Sequence, residues 1–158
     1  MDNRGYYILV AQDTFDVDDR RLHAYTIAKK RLSSRIWPLY TNTRNRKSIV
    51  PGDKLCVYVG GRYENKGLVI ASCEVERLEH GDSIYKDPEY DIIVDIPTRF
   101  IVINNVREFA PFSLYRKIEK EAFMPKNKRQ WGVVLMGGTR RISRQIYENI
   151  FDDEAEIL

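Results

Sequence analysis

Apolar runs separated by turn-forming residues set the pattern of elements along this chain. Tyr6–Gln12 is short, β-branched and aromatic, which predicts a buried strand. Lys54–Val59 and Gly67–Val75 flank a stretch rich in Gly and Asn, a pattern that predicts a hairpin. Pro51–Asp53 supplies turn chemistry just before the first strand of that hairpin.

Helical signals occur in three places. Asp16 is the predicted N-cap of a helix over Val17–Leu32, whose apolar residues form one stripe. Ser113 is the predicted cap of a helix over Leu114–Glu121. Thr139 is the predicted cap of a final helix with isoleucines at i, i+4 and i+8, namely Ile142, Ile146 and Ile150.

Tyr90–Ile96 and Phe100–Val106 are predicted strands separated by a proline, and Trp131–Met136 is a predicted late strand. Ser33–Ser48 is a predicted polar loop. Strands that follow one another, with helices at both ends, indicate an α+β fold. We expect a partly closed, mostly antiparallel β-barrel of five to six strands with flanking helices.

Length and composition are those of one ordinary globular domain. The chain has 158 residues, of which 43% are hydrophobic and 31% charged. Its first apolar run, Tyr6–Ala11, is far shorter than the roughly 20 residues of a spanning helix, so no membrane partner and a cytoplasmic or nuclear location are expected. We expect the domain to cover residues 1–151, with 152–158 as an acidic tail or the start of a linker.

Cysteines and histidines give no sign of a metal or cofactor site. Cys56 and Cys73 lie inside apolar runs, where unpaired thiols behave as small buried hydrophobes. His23 and His80 have no partner at a zinc-like spacing. No metal and no cofactor is therefore expected.

Positive charge is segregated along the chain. Residues 20–47 contain nine basic residues and no acid, and residues 125–147 contain six and no acid. The last eleven residues hold five acids, so the net charge of +3 becomes +8 without them. Lys and Arg also solubilise exposed faces, but two long acid-free stretches favour a polyanion-binding surface, and hence nucleic acid.

Trp37 lies in the predicted basic loop, among Arg, Lys and Asn. An indole in such surroundings either packs in the core or awaits a ligand, because its exposure is costly. Aromatic faces stack on nucleobases, and neighbouring cations hold the phosphates. Both interpretations of Trp37 stay open at this stage.

An ordered set of motifs resembles the EVE domains of the PUA-like superfamily, which are related to YTH and ASCH domains. The similar segments are Ser48–Val59 with its Pro-Gly-Asp turn, the upstream Trp37, Gly67–Ala71, and Lys126–Trp131 before the last strand. Taken together, the resemblance spans most of the chain. The first strand departs from the family because it ends in Ala11–Thr14 rather than a Lys-Ser-Glu-Pro or Lys-Ser-Asn turn.

The resemblance implies a PUA-like barrel that captures a flipped, often modified base between aromatic walls while polar groups read its edge. The implied base-pocket residues are Trp37, Tyr40, Tyr58, Tyr85, Trp131, Gln12, Asp13 and Asn42. Asp13 is equally a candidate for a purely structural turn residue. The implied phosphate-binding residues are Arg44, Arg46, Lys47, Lys126, Lys128, Arg129, Arg140 and Arg141.

The expected partner is nucleic acid, with modified DNA favoured and RNA possible. The resemblance fits the N-terminal recognition module of a McrBC-type restriction system, with further domains or a restriction complex as partners, or a stand-alone RNA-binding protein. An ASCH-like hydrolase of modified nucleosides is the rival, but Glu74, Glu76 and His80–Asp82 form no catalytic motif. A basic module for an acidic protein partner is the third alternative. We expect a domain without catalytic activity.

Overall fold

A curled, mixed sheet forms the centre of the molecule. The computed structural model describes residues 4–15, 19–39, 47–80, 99–118 and 138–152. Within these ranges the strands are β1 (Tyr6–Ala11), β2 (Thr14–Phe15), β3 (Arg21–Leu22), β4 (Ile36–Leu39), β5 (Lys54–Val59), β6 (Leu68–His80), β7 (Arg99–Ser113) and β8 (Thr139–Ile142). The helices in the same ranges are α1 (Ala24–Ser34), α2 (Leu114–Ile118) and α3 (Arg144–Ile150).

Six of these strands form one sheet in the order β4-β7-β6-β5-β1-β8, while β2 and β3 pair as a separate hairpin. Strands β1 and β5 run parallel, and the other described pairs of the sheet are antiparallel. The sheet curls into a half-barrel, so the α+β, mostly antiparallel architecture expected from the sequence is confirmed.

The two faces of the sheet support two separate cores. Successive side chains of a strand point to opposite faces, and every residue of β1 is buried, so both faces of this strand are covered. Leu9 and Val57 belong to the face that packs against α1, whereas Ile8 and Cys56 belong to the face that packs against α2 and α3. The central strands therefore read as continuous apolar runs rather than alternating ones.

The Pro-Gly-Asp turn aligns the parallel pair. Gly52 adopts φ 92°, which favours glycine, and leads into Asp53. The buried Asp53 carboxylate accepts hydrogen bonds from the backbone N–H groups of Gly5 at 2.8 Å and Val50 at 2.9 Å. This motif therefore ties the start of β5 to the residue that precedes β1.

The first helix starts later than the sequence predicts. Its expected range was Val17–Leu32 with Asp16 as cap, but α1 begins at Ala24 and the β2–β3 hairpin precedes it. The Asp13 carboxylate, not Asp16, accepts the Ala24 N–H at 2.9 Å. A remote side chain has thus replaced a local cap, which periodicity does not reveal.

Two further predictions are corrected. The stretch Ser33–Ser48 is not wholly a loop, because Ile36–Leu39 forms β4 after a left-handed Arg35 (φ 63°) ends α1. Thr139 does not cap the last helix: it begins β8, and the Ser143 hydroxyl accepts the Ile146 N–H at 3.2 Å. Ile142 consequently belongs to β8 rather than to α3.

The predicted hairpin is confirmed, although its second strand extends to His80 and β7 extends to Ser113. Ser113 does accept the Arg116 N–H at 3.3 Å, as a helix cap should. The predicted strands at 90–96 and 131–136 lie outside the described residues. In the part that is described, no helix has the length and apolar character needed to cross a membrane.

Candidate nucleic-acid interface

The carboxyl ends of β1 and β5 meet at one edge of the sheet, where the backbones approach closely. The Gly60 N–H donates to the Ala11 carbonyl at 2.8 Å. A Cβ on Gly60 would lie 2.8 Å from the Gln12 amide group and 2.9 Å from the Ala11 oxygen. Gly61 has φ 71°, and a Cβ there would lie 2.2 Å from Asp13 Oδ1. Only glycine fits both positions without displacing this contact.

Gln12 and Asp13 hold that edge together. Gln12 Oε1 accepts the Gly61 N–H at 3.1 Å, and Asp13 Oδ2 accepts the Arg62 N–H at 2.9 Å. Asp13 Oδ1 accepts the Ala24 N–H, so one carboxylate joins the β5–β6 turn to the start of α1. Asp13 therefore has a structural role here, whereas Gln12 is exposed.

A column of aromatic and cationic groups stands beside this edge. The Arg21 guanidinium lies 5.3 Å from the Phe15 ring centroid and 5.4 Å from that of Tyr63. Arg21 Nη1 also donates a hydrogen bond to the Tyr63 hydroxyl. His23 stacks on Tyr63 with centroids 4.0 Å apart and ring planes 4° apart. The order is thus Phe15, Arg21, Tyr63 and His23, with Phe15 outermost and 51% exposed.

Trp37 lies in the core of the α1 face. Its side chain is 2% exposed, and on β4 it pairs with Ile101 of β7. The Arg31 guanidinium of α1 lies 4.8 Å from the indole centroid, an attractive cation–π geometry. Ile101 pairs with Leu78 of β6, and Leu78 lies beyond Glu74, the residue of β6 that pairs with the first residue of β5. Trp37 therefore stands at the amino end of β5, whereas Gln12 lies near its carboxyl end.

Two predicted phosphate-binding residues, Lys47 and Arg141, lie near the amino end of β1, which is the end of the sheet where Trp37 stands. Arg141 of β8 pairs with Tyr7, and its guanidinium lies 5.8 Å from the Tyr7 ring centroid. The Tyr7 hydroxyl donates to Ser48, the neighbour of the exposed Lys47, at 3.4 Å. Tyr7 thereby brings Lys47 and Arg141 to one region although 94 positions separate them in the sequence. Arg140, which precedes Arg141 on β8, pairs with Ile8.

Tyr58 lies on the other face of the sheet. It is buried in the cluster formed with α2 and α3, alongside Val10 and Leu114. Trp37 belongs to the cluster formed with α1. The structure therefore does not bring Trp37 and Tyr58 to one pocket, and it places Gln12 and Asp13 at a third location.

A cleft of about 800 Å³ opens between α3 and the strands β5 to β7. Glu74 lines it and accepts a hydrogen bond from Asn105 Nδ2 at 2.9 Å, with Lys54 Nζ at 3.2 Å. These partners lower the pKa of Glu74, the Asn105 hydrogen bond being the main cause. Tyr147 forms another wall, and burial raises the pKa of its hydroxyl.

Several predicted residues of the interface lie outside the described residues: Tyr40, Asn42, Arg44, Arg46, Tyr85, Lys126, Lys128, Arg129 and Trp131. Sequence reasoning missed Phe15, Arg21 and Tyr63. The sequence carries no direct signal for this group, because Tyr63 lies 42 positions from Arg21 and the register of β2 and β3 was needed to place Phe15 opposite Arg21.

The two cysteines lie within the sheet as buried thiols. Cys56 and Cys73 are unpaired and buried, as predicted from their apolar surroundings. Burial raises the pKa of both thiols, to about 12 for Cys73. Among the residues that the structure describes, no group of three or more His, Cys, Asp or Glu side chains is placed to hold a metal ion.

Solved structures share this architecture. The N-terminal domain of Staphylothermus marinus McrB aligns with a TM-score of 0.57 at 10% identity, over 92% of this chain and 92% of that one. ASCH from Zymomonas mobilis gives 0.56 at 9% identity, over 96% of each chain. The YTH domain of Zygosaccharomyces rouxii MRB1, crystallised with N6-methyladenosine RNA, gives 0.51 at 14% identity, over 95% of this chain and 86% of that one. No family model and no curated protein sequence matches the chain.

Proposed function

Because this chain has the PUA-like fold, we propose that it is a nucleic-acid-binding domain that reads a modified base. The observation that carries the proposal is the fold, shared along nearly the whole chain with an McrB N-terminal domain and with a YTH domain in complex with N6-methyladenosine RNA. The segregated basic residues of the sequence support the same partner, since phosphates supply most of the affinity of nucleic-acid binding.

The base is proposed to enter on the α1 face of the sheet, next to Trp37. Arg31 covers the indole, and Tyr7, at the same end of the sheet, brings Lys47 and Arg141 together. A base that stacks on Trp37 takes the place of the Arg31 guanidinium, which moves outward to a phosphate. The exchange replaces one cation–π contact by base stacking, which contributes about 1–3 kcal/mol per base. Tyr58 has no part in this site, because it faces the other core.

Modified DNA is the proposed ligand, and the domain is proposed to be the specificity module of a cytoplasmic, modification-dependent restriction system. Other domains of such a system are then its partners. The McrB neighbour supports this setting. The YTH neighbour supports the alternative of a stand-alone RNA-binding protein, so both nucleic acids belong in the test.

Binding without catalysis is proposed for this domain. Glu74 lines the cleft between α3 and strands β5 to β7, and its pKa is lowered. A carboxylate with a lowered pKa is a weak general base. Glu76 is exposed and forms an ion pair with Arg77, its neighbour on β6. The ASCH neighbour supplies the rival proposal of a nucleoside hydrolase, which product analysis with modified nucleosides tests directly.

The decisive experiment is a fluorescence-anisotropy titration with matched DNA and RNA oligonucleotides at two salt concentrations. Each is used unmodified, with one N6-methyladenine and with one 5-methylcytosine. We expect a preference of about tenfold or more for one modified strand, equivalent to about 1.4 kcal/mol, and retained at the higher salt. Uniform binding that salt abolishes would reduce the proposal to a non-specific basic clamp. Absence of binding to every oligonucleotide would overturn it.

Variants on the two faces locate the base. Trp37→Phe keeps an apolar ring in the core but offers a smaller stacking surface, so the preference for the modified base should fall. Tyr58→Phe is the matched control on the opposite face and should leave the preference unchanged. Equal effects of both variants would exclude the Trp37 side as the base site.

A further inference from the structure

The column of Phe15, Arg21, Tyr63 and His23 is unusual because it presents apolar rings to solvent. Phe15 is 51% and Tyr63 39% exposed, and together with Val50 they are the large hydrophobic side chains that stand exposed in the described part of the chain. An exposed aromatic ring beside arginines can stack on a nucleobase while the cations hold its phosphates. The column lies at the carboxyl ends of β1 and β5, away from Trp37 in the sheet register.

Two independent constraints hold the column in place. The pairing of β2 with β3 sets Phe15 directly opposite Arg21. The β5–β6 turn that carries Tyr63 is fixed by Gln12 and Asp13 through the Gly61 and Arg62 N–H groups. A ligand that stacks on the column therefore meets rings that are already ordered, which reduces the entropic cost of binding.

Arginines beside the column can contact an anion. Arg20, Arg21 and Arg62 are exposed on the two segments that form it. The overall charge of these segments is balanced, since the sequence sets Asp16, Asp18, Asp19 and Glu64 against these three arginines and Lys66. Tyr63 and His23 cover each other and Arg21 covers one face of Phe15, so the outer face of Phe15 is where a further planar group can extend the column.

We propose that the outer face of Phe15 stacks an unpaired nucleobase of a single-stranded segment, while Arg20 and Arg62 contact its phosphates. This platform is distinct from the modified-base site beside Trp37, and it rests on the proposed function for its ligand class. It gives affinity for single strands and is tolerant of sequence, because every base has a face that stacks. A bound strand then contacts both ends of the sheet: one end reads a base, and the other holds the flanking nucleotides.

The test is an anisotropy titration of the full chain with a fluorescein-labelled 12-nucleotide oligo(U) RNA and its oligo(dT) equivalent. Phe15→Ala and Phe15→Leu remove the ring, Arg62→Ala removes a cation, and Val50→Ala is the control, since Val50 is equally exposed (48%) but lies outside the column. Thermal unfolding of each variant verifies that the fold is retained.

We expect both Phe15 variants to weaken oligonucleotide binding about 5- to 100-fold with an unchanged salt slope, because stacking releases no counterions. Arg62→Ala should weaken binding and lower the salt slope by about one unit. Val50→Ala should bind like the parent, and the ratio between modified and unmodified strands should be the same in the Phe15 variants as in the parent.

The outcomes separate the platform from the proposed function. If the parent binds oligonucleotides and both Phe15 variants bind equally well, the platform is overturned and the proposed function stands. If the parent binds no nucleic acid, the proposed function fails and the platform fails with it. If the Phe15 variants lose poly-glutamate binding as strongly as oligonucleotide binding, the column is a docking surface for acidic proteins, and the platform is also overturned.

Discussion

Trp37 and Tyr58 lie on opposite faces of one sheet. Trp37 packs against α1 with 2% of its surface exposed, and Tyr58 packs against α2 and α3 with 3% exposed. An aromatic cage built from both would have to cross the sheet. The modified-base site that we propose therefore depends on one of these rings, with Arg31 as the group that the base displaces.

The burial of Trp37 makes it important for stability as well as for the proposed binding. Trp37→Ala should lower the free energy of unfolding by about 3–5 kcal/mol, because it leaves a large cavity between α1 and the sheet. Urea denaturation followed by circular dichroism measures this loss. Arg31→Ala, which removes only the cation above the ring, should cost about 1 kcal/mol. Comparable losses for the two variants would show that the indole is not packed as described.

The sequence pattern predicts most of the sheet because the signals are local. Apolar runs mark β1 and β5, and turn residues mark the hairpin that joins β5 to β6. Even the Pro-Gly-Asp resemblance has a physical basis, since Asp53 links the starts of the two parallel strands. The pattern does not predict where α1 starts or that Ile36–Leu39 is a strand. Both depend on partners from distant parts of the chain: Asp13 accepts the N–H of Ala24, and β7 pairs with β4.

The candidate site was harder to predict because its parts depend on register. The side chains of Tyr7 and Trp37 lie on one face of the sheet and that of Tyr58 lies on the other. A shift of one residue along a strand would move a side chain to the opposite face. The column of Phe15 and Tyr63 assembles from two hairpins whose positions are fixed by Asp13. No spacing in the sequence encodes that juxtaposition, so the resemblance indicated the fold without locating these side chains.

Asp13 should act as a structural clamp between the β5–β6 turn and α1. Asp13→Ala leaves the N–H groups of Ala24 and Arg62 without their acceptor, and we expect a loss of about 2 kcal/mol in the free energy of unfolding. Asp13→Asn keeps one acceptor oxygen and should lose about half as much. Urea denaturation gives both values, and Glu64→Ala, an exposed carboxylate of the same turn, is the control. A selective loss of base preference in Asp13→Asn at unchanged stability would instead assign Asp13 to base reading.

Gly61 and Gly52 form a matched pair for separating backbone strain from steric conflict. Both have positive φ, 71° and 92°, but a Cβ meets Asp13 Oδ1 at 2.2 Å in the first case and nothing within 4 Å in the second. Gly52→Ala should cost about 1–2 kcal/mol from its left-handed backbone alone. Gly61→Ala should cost clearly more and should also weaken oligo(U) binding, because it displaces the turn that carries Tyr63. Equal stability losses, measured by urea denaturation, would show that Asp13 moves aside without cost.

The two thiols should remain unreactive until the protein unfolds. Cys56 and Cys73 are buried on opposite faces, and burial raises the pKa of both above the ordinary thiol value. The thiolate is the reactive form, so between pH 7 and 9 both groups stay protonated in the native protein and raising the pH should not accelerate labelling. With 5,5′-dithiobis-(2-nitrobenzoate), we expect no rapid release of thionitrobenzoate from native protein and two equivalents in guanidinium chloride. A native thiol that reacts at the rate of free cysteine, increasing with pH, would mean that one face of the sheet opens readily to solvent, and the two-core packing described above would then be wrong for that face.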